Sequence, residues 1–311
     1  MNAIFRRILW RLVAGVGVLW GAATLTFVAI NATAGDPAIA ILGGAEAMPT
    51  PAVLASVRKD YHLDRPLYEQ YLLWLGRLAR GDLGDSYRLR IPVARAIGQQ
   101  LGATVELALL AGSLSLVTAV LLAILTARRP RWVRQTSSGA ELVVSSMPGF
   151  VLGIVLLLVF SFRLHWLPAS GENGWKTLIL PVLTLAIPLV AVLTQVLRHE
   201  LEDILEQPFI TTARARGLSE TGVRLGHALR HALIPLVTLS GFIFASLFGG
   251  AVIVETLFAR QGVGRLMVDA ASNKDVPLVL GVTMLAAGTY VMVNLTVDLI
   301  NAFVDPRVTT N

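Results

Sequence analysis

Residues 206–235 read EQPFITTARARGLSETGVRLGHALRHALIP, a polar and basic stretch set between two long apolar runs. Hydrocarbon cannot take such a segment, because its charges would lose water without gaining partners. Its partner therefore lies outside the membrane. The local chemistry predicts two short helices with a break between them. Gly217 stands where a helix C-terminus wants a residue free to take positive φ, and Ser219 follows where a new helix needs a capping hydroxyl. The second helix is expected from about Glu220 to Leu233, with Pro235 ending it. Leu225, Leu229 and Ala232 would share its apolar stripe, while Arg224, His227, Arg230 and His231 gather on the other side. On spacing alone, an amphipathic hairpin lying on anionic headgroups stays open.

Composition carries the same message over the whole chain. With 55% hydrophobic and 15% charged residues and a mean hydropathy of +0.68, the 311 residues do not make an ordinary soluble domain. Cysteine is absent, which excludes disulfides, thiolate metal sites and cysteine nucleophiles. The net charge of +6 is no nucleic-acid signature, because its distribution follows a membrane pattern.

Six apolar runs stand out, at about Ile8–Asn31, Thr104–Ala127, Leu142–Phe162, Leu178–Leu197, Leu236–Val254 and Leu278–Ala302. Each is long enough to cross roughly 30 Å of hydrocarbon as a helix. Pro148, Pro181 and Pro188 fall inside these runs, where neighbouring helices can restore the lost hydrogen bonds. Gly249, Gly250 and Ala251 permit close helix contacts. Orientation follows from Lys and Arg in the short connections. Arg6, Arg7 and Arg11, Arg128, Arg129, Arg131 and Arg134, Arg198, Arg214, Arg216, Arg224 and Arg230, and Arg307 fall on one side. Only Arg163, Lys176, Arg260, Arg265 and Lys274 fall on the other. Both termini and the 206–235 loop are thus expected in the cytoplasm. Ala32-Thr33-Ala34 looks like a signal-peptidase site, but the apolar core ahead of it, Val13–Ile30, exceeds a secretory core, so a retained first span is expected.

The long loop, residues 32–103, is the one sizeable polar region on the outer side. Proline and glycine clusters bracket two short helices, near Pro51–Tyr61 and Pro66–Arg80. In the second, Tyr68, Leu72, Leu75 and Leu78 or Ala79 share a face that should pack. A self-packed cap and a landing surface for an outside partner both fit.

No catalytic motif stands out in the chain, and a membrane enzyme would need catalytic groups converging at one depth, which the sequence does not display. Its three lysines, Lys59, Lys176 and Lys274, follow Arg58, Trp175 and Asn273, so none is a P-loop lysine. His227 and His231 are four apart, but Ala-Leu-Arg lies between them, and a basic contact face is a better reading than zinc. Ser113, Ser115, Ser145 and Ser146 have no nucleophile elbow around them. Glu106, Glu141 and Asp298, with Gln195 and Asn294, are expected to bond between helices or at the interface rather than to bind substrate.

Thr212-Ala213-Arg214-Ala215-Arg216-Gly217-Leu218, with Val223, His227, Leu229-Arg230 and Ala232 to Pro235, resembles the EAA motif. That cytoplasmic loop marks permease subunits of binding-protein-dependent ABC importers, and this version is most similar to the dipeptide/oligopeptide branch. The motif's first letters read Thr211-Thr212 here. The likeness extends through Gly35-Asp36-Pro37-Ala38, Leu63-Asp64-Arg65-Pro66-Leu67, Gly81-Asp82-Leu83-Gly84, Val254-Glu255-Thr256, Gly262-Val263-Gly264-Arg265-Leu266 and Asp305-Pro306-Arg307. Gly102 departs from it, standing where a proline is expected ahead of the second span.

The resemblance implies an all-α polytopic fold of the type I ABC importer permease. Residues 1–31 carry the first span, 32–103 the outer loop with short helices, 104–302 the transmembrane core and 303–311 a cytoplasmic tail. It implies a non-catalytic subunit of the bacterial cell membrane, half of a path for di- and oligopeptides, with no cofactor of its own. ATP and Mg belong to partner chains: two ABC ATPases or one fused ATPase. A second homologous permease and an extracytoplasmic substrate-binding protein complete the set, with no nucleic acid. The residues it assigns to ATPase coupling are Thr211, Thr212, Ala213, Arg214, Ala215, Arg216, Gly217, Leu218, His227, Arg230 and Pro235. The rival from another class is a stand-alone secondary carrier or channel, with the same loop as a membrane-surface element.

Overall fold

A computed structural model describes residues 2–32, 36–42, 49–171 and 174–304. The described residues are helical, joined by turns and one isolated β-bridge between Asp85 and Pro92. In chain order the helices are α1 (Asn2–Ala32), α2 (Pro37–Ile41), α3 (Pro51–Asp60), α4 (Leu67–Leu78), α5 (Val93–Thr126), α6 (Arg131–Ser146), α7 (Gly149–Leu156), α8 (Lys176–Ile204), α9 (Pro208–Ala215), α10 (Glu220–Gly222), α11 (Leu229–Ala232), α12 (Ile234–Leu257), α13 (Val263–Ser272) and α14 (Val276–Val304). Two stretches wind wider, as π-helix: Leu157–Arg163 after α7 and Val223–Ala228 between α10 and α11.

Among the described residues, four helices are long and apolar enough to cross a membrane, Leu9–Ala32, Val93–Thr126, Lys176–Ile204 and Val276–Val297. The pair Arg131–Ser146 and Gly149–Arg163 makes a fifth if counted as one span, but it bends by 99°. Here the expected unbroken run Leu142–Phe162 is corrected. Pro148 pushes the residue before it out of the helical region, and Met147 is extended at φ −85°, ψ 126°. Pro148 is thus a corner rather than a kink inside a span. The fifth expected run lies within α12, a helix of 24 residues. Gly102, expected at a turn, sits inside α5. Asp305-Pro306-Arg307 and Gly35 lie outside the described residues.

The chain divides into two compact units, Met1–Thr104 with Gln261–Met292, and Val105–Arg260 with Val293–Asn311. In the first, α4 packs an aromatic face on α1. Phe27 meets Tyr71 edge-on at 5.3 Å and stacks on Trp74 at 6.4 Å, and the Tyr71 hydroxyl shares a 2.7 Å hydrogen bond with Thr24. Leu280 and Met284 of α14 close this cluster. The packed face of α4 is therefore Tyr71, Trp74, Leu75 and Leu78, whereas Tyr68 and Leu72 are exposed. The expected stripe was turned because α4 is apolar on several sides, and ring stacking on Phe27 selected one.

Asp275 ties the long loop down. Its buried carboxylate accepts from the Ser86 hydroxyl, the Tyr87 and Arg88 backbone N–H groups at 3.1 Å, and Leu278 N–H in the first turn of α14. At Gly281 a Cβ would lie 2.4 Å from Val93 Cγ1, so α14 and α5 meet there only because the residue has no side chain.

In the second unit α8 is the centre. Leu180, Leu185, Leu189, Leu193, Leu197 and Leu201 are buried along it, against α5, α7 and α12 and, at its end, the segment that follows. Pro181 and Pro188 are inside α8, as expected of prolines that neighbours can tolerate. Ion pairs link elements of this unit, two of them at 2.6 Å. Arg260 Nη2 donates to Glu106 at 2.6 Å, and Arg198 forks onto both Glu141 oxygens at 2.7 and 2.6 Å. Glu106 and Glu141 thus do what the sequence led us to expect of acids near span ends. The Asp298 side chain lies outside the described ones.

Candidate functional site

The segment after α8 is two short helical pieces meeting at a glycine, as its sequence predicts. Pro208 opens α9 at a position where its missing N–H costs nothing. Gly217 ends it at φ +82°, a conformation that Cβ-bearing residues take only with strain. Ser219 caps the next piece, accepting from Gly222 N–H at 3.2 Å. Across the break, Arg214 forks onto Glu220, Nε to Oε1 at 2.8 Å and Nη2 to Oε2 at 3.4 Å. The hydrogen bond from Arg214, ahead of the nearby positive charges, holds the Glu220 carboxyl below the ordinary glutamate range.

The second piece departs from the expected register. Its buried residues are Val223, Ala228 and Ala232, while Leu225 is exposed. The cause is the π-turn over Val223–Ala228. A hydrogen bond from i to i+5 adds one residue to the turn, so positions five apart come to share a face. Pro235 does not end a helix either. It stands in the first turn of α12, and only the turn at Leu233 separates the two pieces.

Five buried side chains, Ile210, Ala213, Val223, Ala228 and Ala232, rivet the segment to Leu197, Leu201 and Leu205 of α8, to Ala119, Ala123 and Ala127 at the end of α5, and to Leu236. Charged contacts add to this. Arg224 Nη1 donates to the Ile124 carbonyl at 3.1 Å, capping the last turn of α5. Arg128, at φ +51°, donates its backbone N–H to Glu202 at 3.3 Å and its Nη2 to Glu206 at 2.8 Å.

What the core does not take faces outward. Thr211, Thr212, Ala215, Arg216, Gly217 and Leu218 are exposed, together with Leu225, His227, Arg230 and His231. Phe209, also exposed, lies with its ring 5.3 Å from that of His231. Of the residues assigned by resemblance, Ala213 is a rivet, Arg214 is engaged with Glu220, Pro235 starts α12, and the others form the exposed face. Sequence reasoning missed the anchoring roles of Arg128, Arg224, Glu202 and Glu206. Arg128 was legible only as a positive charge on one side of the membrane, and Arg224 as that and as part of the polar face of the second helix.

The outward surface carries two threonines, cations and the apolar side chains of Phe209, Leu218 and Leu225. That mixture can receive a protein surface. Residues 119–310 match the family described as binding-protein-dependent transport system inner membrane component. A Brucella suis protein named as a peptide transport system permease is 36% identical over 310 residues, spanning 97% of this chain and 98% of the relative. The glutathione transport system permease protein GsiC of Escherichia coli K12 is 35% identical over 299 residues, 96% of this chain and 97% of its own length. A family match over more than half the chain and relatives aligned nearly end to end lead to one conclusion: this chain belongs to the binding-protein-dependent transport system inner membrane components, permease subunits of ABC importers.

Proposed function

We propose that this chain is one half of the translocation path of an importer for short peptides, glutathione-like tripeptides included, and that residues 206–235 take force from an ATPase. The relatives named for peptide and glutathione transport support the cargo class. One observation carries the mechanism: a cytoplasm-compatible segment with an exposed face is riveted by five side chains to the ends of α5 and α8 and runs into α12. A slack loop would absorb a push. A segment sharing one core with the helices it joins passes the push to them.

In this reading six helices span the membrane, α12 among them, and both termini face the cytoplasm. Thr211, Thr212, Ala215, Arg216, Gly217, Leu218, His227 and Arg230 meet the ATPase, while Ala213, Arg214 and Pro235 hold the segment in shape. ATP and Mg bind on two ATPase subunits. A second, related permease completes the path, and a binding protein delivers cargo to the outer side, where the loop of residues 32–103 receives it.

The test uses the complete complex in proteoliposomes. Arg216→Glu and Gly217→Pro are expected to insert normally and to lose peptide uptake while ATP hydrolysis no longer responds to loaded binding protein. Uptake and stimulated hydrolysis at wild-type levels in both variants would remove the segment from the mechanism. Purification of this chain without any ATPase, yet active in uptake, would favour a secondary carrier.

A further inference from the structure

Residues 219–233 carry two apolar stripes, and the fold buries only one of them. In a helix of 3.6 residues per turn, Leu225, Leu229 and Ala232 lie within about 60° of one another, with Val223 on the far side. The π-turn over Val223–Ala228 replaces that face. It lines Val223 up with Ala228 and Ala232, all three buried in the core shared with α5 and α8, and leaves Leu225 49% exposed. One residue more or less in this single turn therefore exchanges Val223 for Leu225 in the core, and the two differ by one methylene.

The π register leaves a donor stranded at Arg224. Its Nη1 reaches the Ile124 carbonyl at 3.1 Å, but its Nε is buried with no hydrogen-bond partner among the described residues. Such turns are rare within helices and are frequent at functional sites. The flanks of this one can take up a slipped residue. Gly226, inside the turn, has nothing within 4 Å of where a Cβ would stand, and glycine holds a helical conformation weakly. Ahead of it, Gly217 at φ +82° and the Ser219 cap already form a break. The turn touches α8, α9 and α11. A change of one residue in it re-aims α9 against α11 by ~100°, the angle between neighbouring residues of an α-helix.

We propose that residues 219–233 are a joint with two registers. In the π register Val223 is in the core and Arg224 caps α5. In the other the turn is an ordinary α-helix, Leu225 takes the place of Val223, and Arg224 leaves Ile124. The joint rests on the reading of residues 206–235 as the segment that takes force from an ATPase, and it supplies the step by which a push on α9 becomes a rotation. A turn with two packed states moves from one to the other rather than bending by degrees.

The chain has no cysteine, so Val223→Cys and Leu225→Cys each provide its only thiol. In the complete complex in nanodiscs, reaction of this chain with N-ethylmaleimide is followed by mass, without nucleotide, with ATP, and with ATP and vanadate. In one state the thiol at 225 reacts quickly and the thiol at 223 slowly, since a buried thiol is out of reach. In another the two exchange, the rate at 223 rising about tenfold as a register populated at ~10% or less becomes the major one. An unchanged ratio in every state would overturn the joint. So would a fall at 225 with no rise at 223, which is the pattern of an ATPase merely covering the surface. In a second arm, deletion of Gly226 takes the extra residue out of the turn, sets Val223 and Ala228 one α-turn apart and locks the register. This variant is expected to keep its ATPase subunits and lose peptide uptake; uptake at the wild-type rate would also overturn the joint. Failure of the force-taking reading looks different. Thiol labelling of Thr211→Cys that is equal with and without the ATPase subunits removes the whole segment from the mechanism, whatever the ratio at 223 and 225.

Discussion

Removing Glu141 while keeping Arg198 should destabilise the protein far more than removing both. The guanidinium donates to Glu141 at 2.7 and 2.6 Å, to Ser138 at 3.1 Å and to Ser137 at 3.3 Å, with the two charged side chains 8% and 7% exposed. At the surface such a pair would contribute about 0–1 kcal/mol. Buried, each partner has already lost its water, so Glu141→Leu strands a charge at a cost of about 3–5 kcal/mol. Glu141→Leu with Arg198→Met replaces the pair by apolar groups of similar volume and should lie within about 1 kcal/mol of the native chain. Unfolding in mixed sodium dodecyl sulfate and maltoside micelles measures the two variants against wild type. On heating, the single variant's midpoint should fall by roughly 10 °C. A single variant within about 1 kcal/mol of wild type, or a double variant no better than the single, would refute the assignment of a dry, mutually dependent pair between α6 and α8.

Further expectations follow from individual contacts. Gly281→Leu forces apart α5 and α14, where a Cβ would lie 2.4 Å from Val93, and should cost about 1–3 kcal/mol. Gly249→Ala, with nothing within 4 Å, should be neutral or slightly stabilising in the same unfolding assay. Arg224→Met loses the charged cap on the Ile124 carbonyl, a hydrogen bond worth about 1.5–3 kcal/mol, and should raise amide exchange at the end of α5 and in residues 223–232. Because Arg214 holds the Glu220 carboxyl below its usual range, their link contributes fully at neutral pH and fades only as pH falls through that lowered value. Hydrogen exchange across residues 208–232 should therefore stay flat down to the ordinary glutamate range and rise below it, and Glu220→Gln should abolish the pH step.

The polar segment shows how far local chemistry reaches. Gly217 and Ser219 announced a break and a cap, and both are there, because φ freedom and a capping hydroxyl act over a few residues. The stripe on the second piece was misread because a π-turn inserts one residue into the period. Such a turn depends on what Val223 and Ala228 pack against. Pro148 carried a local signal, the rule for the residue before proline, but a continuous apolar run outweighed it. The acids at 106 and 141 were legible as bonding groups, while their partners, Arg260 and Arg198, are far away in sequence.

Taken alone, the amino-acid sequence determined that the chain is helical, lives in a membrane and carries between two apolar runs a basic segment broken at a glycine, because hydropathy, charge and capping are properties of neighbouring residues. It also determined the family, since the motif's residues stand at fixed spacing. Only the tertiary structure decided which faces of α4 and of residues 223–232 are buried, that Pro148 is a corner, and that Ile210, Ala213, Val223, Ala228 and Ala232 fasten the segment to α5 and α8. In a chain this rich in apolar residues, several faces of each helix can be buried. The choice among them falls to close packing between segments distant in sequence.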